Sequence, residues 1–153
     1  MIVIFLWLKS YNVENYTIND DLSVDVAGDV NLSGMGLSSI PIKFGIVVGN
    51  FNCNYNRLSS LESCLISVCG NFNCSYNNLQ NLIGCPDMVG SFLCGFNKLD
   101  TLKYCPDIIS GNFNCGDNKL KESECFLYDC DFSMVIAMLI LRIIMLIRIL
   151  MRS

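Results

Sequence analysis

The sequence predicts a repeat solenoid, a fold in which short units stack along one axis and share one apolar core. Two observations carry this prediction. The motif GNFNC stands at residues 49–53, 70–74 and 111–115, and GSFLC stands at 90–94, so the period is nearly constant. Within each motif, apolar Phe and Cys alternate with a polar or exposed position, which is the two-residue period of a half-buried strand. We therefore expect short parallel β-strands joined by mostly irregular return segments.

The repeats occupy residues 28–120. Alignment on the first glycine of each motif gives four complete units and one partial unit: 28–48, 49–69, 70–89, 90–110 and 111–120. Each complete unit has 21 residues, except the third, which has 20. The first unit is degenerate, with Met35 where the others have Asn, as is typical of a terminal repeat that caps the stack.

Four positions of the unit hold the same residue type in all the repeats after the first. These are Phe51, Phe72, Phe92 and Phe113; Cys53, Cys74, Cys94 and Cys115; Asn56, Asn77, Asn97 and Asn118; and Leu58, Leu79, Leu99 and Leu120. One unit cannot bury its own Phe, Cys and Leu side chains, but units stacked about 4.8 Å apart in a parallel sheet cover one another. Stacking is therefore expected to create the core.

The chain has ten cysteines and no histidine. The four Cys of the motif form one predicted ladder, Cys64, Cys85 and Cys105 form a second one at the turn, and Cys69 is expected to point inward. We interpret them as reduced core side chains, because thiols pack as small hydrophobes. Disulfides and a metal site are the alternatives, and no metal is predicted because C-x2-C pairs and His are absent. Free thiols favour a reducing compartment such as the host cytoplasm.

The pattern Phe-x-Cys-x-x-Asn-x-Leu-x-x-Leu resembles the leucine-rich repeat L-x-L-x-x-N-x-L. The short unit, with Pro86 and Pro106 on its return segment, looks most like the 20-residue bacterial class. The Gly-Asn-Phe-Asn-Cys motif is also similar to motifs of uncharacterised repeat proteins encoded by bacteriophages and other viruses. The resemblance implies that Asn56, Asn77, Asn97 and Asn118 bond backbone groups of adjacent turns.

The solvent side of the predicted sheet is where a partner would bind, since solenoids commonly bind through such a surface. Uncharged amides and a row of aromatic residues occupy it, and aromatic residues are favoured interface anchors. The candidate binding residues are Asn52, Asn54, Tyr55, Asn73, Ser75, Tyr76, Leu93, Phe96 and Asn114. A plain solvated sheet face is the alternative.

Catalysis and nucleic-acid binding are not expected. Without His, the chain lacks a conventional triad or imidazole base, and no cofactor motif occurs. Its net charge of −4 and the lack of a basic block disfavour a nucleic-acid partner. The expected function is a non-catalytic binding module for a protein partner. The alternative is a structural or membrane-tethered viral component whose solenoid is a rigid spacer.

The two ends of the chain differ from the repeats. Residues 1–27 are expected to form an entry segment and cap, and residues 121–133 an acidic linker. Residues 134–153 are a hydrophobic tail, within which 134–151 hold sixteen apolar residues and two Arg. We expect an apolar C-terminal helix there, and its length permits a membrane span. A cap on the last turn and an aberrant reading-frame end are the alternatives.

Overall fold

The computed structural model describes residues 1–62 and 67–121. Within them it contains one helix, α1 (Ile2–Ser10), and eleven short strands. The strands are β1 (Tyr16–Ile18), β2 (Val24–Val26), β3 (Val30–Asn31), β4 (Phe44–Val47), β5 (Phe51–Asn52), β6 (Ser67–Val68), β7 (Phe72–Asn73), β8 (Met88–Val89), β9 (Phe92–Leu93), β10 (Ile108–Ile109) and β11 (Phe113–Asn114).

The strands form a parallel β-solenoid of about four turns. One sheet, which we call the front sheet, has the order β11-β9-β7-β5-β3 and pairs each motif strand with the same strand of the next coil. The coarse prediction of a solenoid with short parallel strands is therefore confirmed.

Each return segment also carries a strand of its own, just before the glycine. These strands pair in the orders β1-β2-β4-β6 and β10-β8. Parallel pairing joins β2 to β4, β4 to β6 and β8 to β10, whereas β1 and β2 form an antiparallel hairpin. A coil thus has two short strands separated by a corner, so the return is more regular than the sequence suggests.

The core is a ladder of phenylalanine rings along the solenoid axis. Phe44, Phe51, Phe72 and Phe92 are fully buried, and Phe113 of the last coil is 7% exposed. Ring centroids of successive motif Phe residues lie 5.7 to 5.8 Å apart, and Phe44 of the return strand β4 contacts the first of them, Phe51, at 5.2 Å. The motif cysteines and leucines fill the space beside the rings. Stacking of the coils therefore removes the apolar side of each unit from water.

Glycine at the corner is required by the close approach of neighbouring coils. A Cβ placed on Gly70 would lie 2.6 Å from the carbonyl oxygen of Gly49, and one placed on Gly49 would lie 2.6 Å from the carbonyl carbon of Gly28. No side chain fits at that separation. The Gly-to-Gly amide bonds of 3.0 and 3.1 Å between these coils depend on the same approach.

The predicted inward position of Cys69 is wrong, because its side chain is exposed. In three coils the inward residue of the return strand lies two positions before the next glycine; these residues are Val47, Val68 and Ile109. In the 20-residue unit the inward residue is Val89, which lies only one position before Gly90. The missing residue of that unit therefore lies just before its glycine. Alignment on the glycines shifts this strand by one residue, and a shift of one reverses which side chains point inward.

Helix α1 and the β1–β2 hairpin close the first coil. Leu8 is fully buried, and the Trp7 ring lies 6.4 Å from the ring of Phe44 at a near-perpendicular angle. An ion pair of 2.8 Å joins Asp21 of the hairpin turn to Lys43 of the first coil. The Phe ladder is thereby shielded at its N-terminal end.

Several predictions fall on residues outside the described part of the chain. They are the position of Cys64, most of the acidic linker, and the apolar tail with its helix. Within residues 1–62 and 67–121, no helix is long and apolar enough to cross a membrane.

Candidate functional site

Three aromatic residues form a stacked row beside the front sheet. Tyr55 and Tyr76 have ring centroids 4.2 Å apart with an interplanar angle of 12°, and Tyr76 and Phe96 are 4.2 Å apart at 7°. All three have a left-handed backbone, with φ between 52° and 55°. The stacking direction is the solenoid axis, so both faces of the Tyr76 ring are covered and the row turns ring edges toward solvent.

The ends of this row differ from its middle. At the preceding coil the equivalent position is Gly34, whose amide donates to Asn54 O as Tyr55 N donates to Ser75 O. Glycine has no side chain, so no aromatic ring continues the row beyond Tyr55 at this position. After Phe96, the equivalent position is Asp117, also left-handed with φ of 53°.

The residue after each aromatic is the motif Asn, which is buried and joins two coils. The Nδ2 of Asn77 donates to Cys53 O of the previous coil at 2.9 Å and to Cys74 O of its own coil at 3.1 Å. Its Oδ1 accepts from the amide of Leu58 at 2.9 Å. The same pattern holds at the other three positions, Asn56, Asn97 and Asn118. These bonds fix the backbone from which the aromatic residues project.

The sheet-face amides are held in a common orientation. The Oδ1 atoms of Asn52, Asn73 and Asn114 each accept a bond from the amide two residues later, at 3.0 to 3.2 Å. Their Nδ2 groups therefore remain as the donors toward a ligand. A groove of about 370 Å³ lies along this surface, and five of its nine lining residues are Asn, among them Asn52 and Asn73.

Three predicted binding residues differ from these amides. Ser75 is only 8% exposed, so it offers little surface to a partner. The Oδ1 of Asn54 accepts a short bond from the Ser33 hydroxyl of the previous coil. Leu93 takes the amide position in its coil and lines the groove with an apolar side chain, interrupting the row of donors.

Sequence reasoning missed a second polar ladder at the corner. Asp29, Asn50, Asn71 and Ser91 each follow a corner glycine, and each side-chain oxygen accepts from the amide of the equivalent residue in the next coil, at 2.6 to 3.1 Å. The signal was the regular polar residue after glycine. A single unit does not reveal it, because the bonds run between coils.

Desolvation raises the pKa of three groups of the solenoid, Tyr76, Cys94 and Cys105. The pKa of Tyr76 is raised, first by desolvation and then by its hydrogen bond and proximity to Tyr55. Burial is also the main reason that the pKa of Cys94 lies well above its usual range and that of Cys105 rises to about 12. These thiols stay protonated at neutral pH, which makes them poor nucleophiles and poor metal ligands.

Neither a metal centre nor a known relative defines the site. Among the described residues, no group of three or more His, Cys, Asp or Glu side chains is placed to hold a metal ion. No protein-family model, curated protein or solved structure matches the chain. The geometry of the front sheet and its aromatic row is therefore the basis for inferring a function.

Proposed function

We propose that the chain is a non-catalytic binding module that holds a protein partner on its Asn–aromatic face. This face comprises the sheet-face amides and the stacked aromatic row: Asn52, Asn54, Tyr55, Asn73, Tyr76, Leu93, Phe96 and Asn114. The observation that carries the proposal is the stacked row itself, in which three large side chains are partly exposed, at 57%, 38% and 45%, yet packed ring against ring.

Rigidity is what makes these aromatics useful for binding. An interface loses about 0.5–1.5 kcal/mol for each flexible side chain that it immobilises. Stacking and the buried Asn ladder already hold Tyr55, Tyr76 and Phe96, so a partner orders little when it binds. Tyr55 is the most exposed of the three, at 57%, so it offers the largest contact to a partner, and the ring edges offer further contacts along the row.

The amides supply direction to the contact. Because the Oδ1 atoms of Asn52, Asn73 and Asn114 are already bonded, their Nδ2 groups favour acceptors such as the main-chain carbonyl oxygens of a peptide. The leucine-rich-repeat-like character of the unit, which is also part of this proposal, fits the same use of a sheet as a binding surface.

Site-specific photocrosslinking tests the proposal. A benzophenone amino acid at Leu93, on the face, is compared with the same group at Tyr104, a 53% exposed aromatic on the return segment. We expect one protein to be captured from position 93 and not from position 104. Binding of that protein is then measured with Tyr55→Ser/Phe96→Ser and with Tyr104→Ser as the matched control.

The double substitution should weaken binding at least about thirtyfold, equivalent to about 2 kcal/mol, because aromatic anchors dominate interface energies. The control should leave the affinity unchanged. Equal capture from both positions, or an unchanged affinity of the double variant, would refute the proposal that the partner binds to the Asn–aromatic face. Either result would favour a spacer role for the solenoid.

A further inference from the structure

The groove on the front sheet lies between two rows of side chains. Residues two positions apart in a strand face the same side, so each coil contributes one residue at the corner and one on the sheet face. The corner row is Asp29, Asn50 and Asn71, and the sheet-face row is Asn31, Asn52, Asn73 and Leu93. Because the lining residues come from the successive strands β3, β5, β7 and β9, the groove follows the solenoid axis.

Both rows present amide N–H groups to the groove. In the corner row, the Oδ1 atoms of Asn50 and Asn71 accept bonds from main-chain amides of the next coil, at 2.9 and 2.7 Å. In the sheet-face row, the Oδ1 atoms of Asn31, Asn52 and Asn73 each accept from the amide two residues later, at 3.1 to 3.2 Å. With the amide oxygens engaged, the Nδ2 groups are what the groove offers to a ligand.

The two ends of the groove differ in charge and polarity. Among the nine described residues that line it, Asp29 carries the only charge. The Oδ1 of Asp29 accepts from the main-chain amide and the Nδ2 of Asn50, at 2.6 and 3.2 Å, and no Lys or Arg of the described residues forms an ion pair with it. Three coils further along, the half-buried Leu93 stands where the neighbouring coils have Asn. The groove therefore has an anionic end and an apolar end.

This pattern favours an extended peptide over other ligands. The carbonyl oxygens of an extended main chain project alternately to its two sides, where the two rows of Nδ2 donors stand. A polyanion would be repelled by Asp29 and by the net charge of −4. A glycan presents hydroxyl donors, for which the engaged amide oxygens leave few acceptors, and it has no apolar side chain to contact Leu93.

We propose that the groove binds an extended segment of the partner, with a Lys or Arg side chain at Asp29 and a large apolar side chain at Leu93. This inference rests on the proposed binding function and names the kind of segment that the face recognises. Strands β3 and β9 are three strand spacings apart, about 14 Å at about 4.8 Å each. An extended chain rises about 3.3 Å per residue, so the two side chains should be about four residues apart.

Selection from a library of displayed random peptides, carried out on the full-length protein, tests this pattern. We expect enrichment of sequences in which a Lys or Arg and a large apolar residue are about four residues apart. The same selection on Asp29→Asn should lose the preference for the basic residue, and selection on Leu93→Asn should lose the preference for the apolar one. Both changes install the residue that a neighbouring coil has at the same position, Asn50 or Asn73, so the coil stack should tolerate them.

The affinity of one enriched peptide, synthesised with both ends capped, measures each contact. Asp29→Asn should weaken binding about fivefold, the upper range for an exposed ion pair, and replacing the basic residue of the peptide by Gln should then have no further effect. Leu93→Asn should weaken binding at least about tenfold, because an apolar contact is lost. The matched control Asp87→Asn removes an exposed carboxylate of the return segment and should leave the affinity unchanged.

Three outcomes would overturn this inference and leave the proposed function standing. Enriched peptides without the basic and apolar pair, whose binding is lost in Tyr55→Ser/Phe96→Ser, would show that the face binds peptides without this selectivity. Equal weakening by Asp29→Asn and Asp87→Asn would show a general effect of charge. If no peptide were enriched, the groove would not take an extended segment, whereas crosslinking from position 93 would still decide whether the face binds a folded protein.

Discussion

Replacing Asn77 by Ala tests the bonding between coils at one buried residue. The side chain is 8% exposed and its amide serves atoms of two successive coils. After truncation, Cys53 O keeps a bond from Asn56 and Cys74 O keeps one from Asn97. The amide of Leu58 loses its acceptor.

The magnitude follows from this count of partners. A buried donor left without an acceptor costs about 1–3 kcal/mol. The loss of bonds to the carbonyls of Cys53, Cys74 and Ser75, all of which retain another donor, adds about 1 kcal/mol. We therefore expect Asn77→Ala to lower the free energy of unfolding by about 2–4 kcal/mol. Equilibrium urea unfolding followed by circular dichroism measures the change.

The adjacent residue provides the matched control. Asn78 is half-buried, and the structure shows no side-chain hydrogen bond for it, so Asn78→Ala removes the same atoms without removing the ladder. We expect it to change the free energy of unfolding by less than about 0.5 kcal/mol. If the two variants were equally stable, the Asn ladder would not contribute to cohesion between coils and the reasoning would be refuted.

An Asp at the same position tests the sign of the pH dependence of folding stability. In Asn77→Asp, a carboxylate faces the carbonyl oxygen of Cys53 and donates no bond, which raises the pKa of Asp in the folded state above its unfolded value near 3.9. The folded state then binds more protons than the unfolded state. The variant should therefore gain stability relative to the unchanged protein as the pH falls from about 7 to 5.

Three further predictions concern thiols, a turn glycine and a phenol. Exposed Cys69 should be alkylated by iodoacetamide at least about tenfold faster than buried Cys94, whose pKa is raised, as measured by peptide mass spectrometry; equal rates would contradict the burial pattern. Gly84→Ala should destabilise the fold by about 2 kcal/mol or more, measured by urea unfolding, because φ is +90° and the new Cβ would lie 2.2 Å from the carbonyl oxygen of Leu61. Because the pKa of Tyr76 is raised in the folded state, its protonated form stabilises the fold, and this stability is lost as the pH rises through that pKa. Tyr76→Phe should therefore reduce the loss of folding stability above about pH 10. An unchanged dependence of stability on alkaline pH would contradict this prediction.

The sequence by itself determined the parts of the fold that lie within one unit. Alternation in Phe72-Asn73-Cys74 specifies which side chains face the core, because successive residues of a strand point to opposite sides. The recurrence of that motif specifies a parallel stack, since one unit cannot bury its own apolar face. The sequence likewise predicted the position of the motif Asn and the presence of an aromatic row beside it.

Only the tertiary structure decided what happens between units and at the end of the stack. Residues 20 or 21 positions apart meet at distances set by the rise and turn of the coils. One motif alone therefore does not predict the ring stacking of Tyr76, the hydrogen-bond ladder through Asn71 or the outward orientation of Cys69. The side of α1 that packs on the solenoid likewise depends on which apolar residues the first coil covers. Local alternation sets the inward and outward sides, whereas contact between coils sets the bonding partners, and the candidate binding surface depends on both.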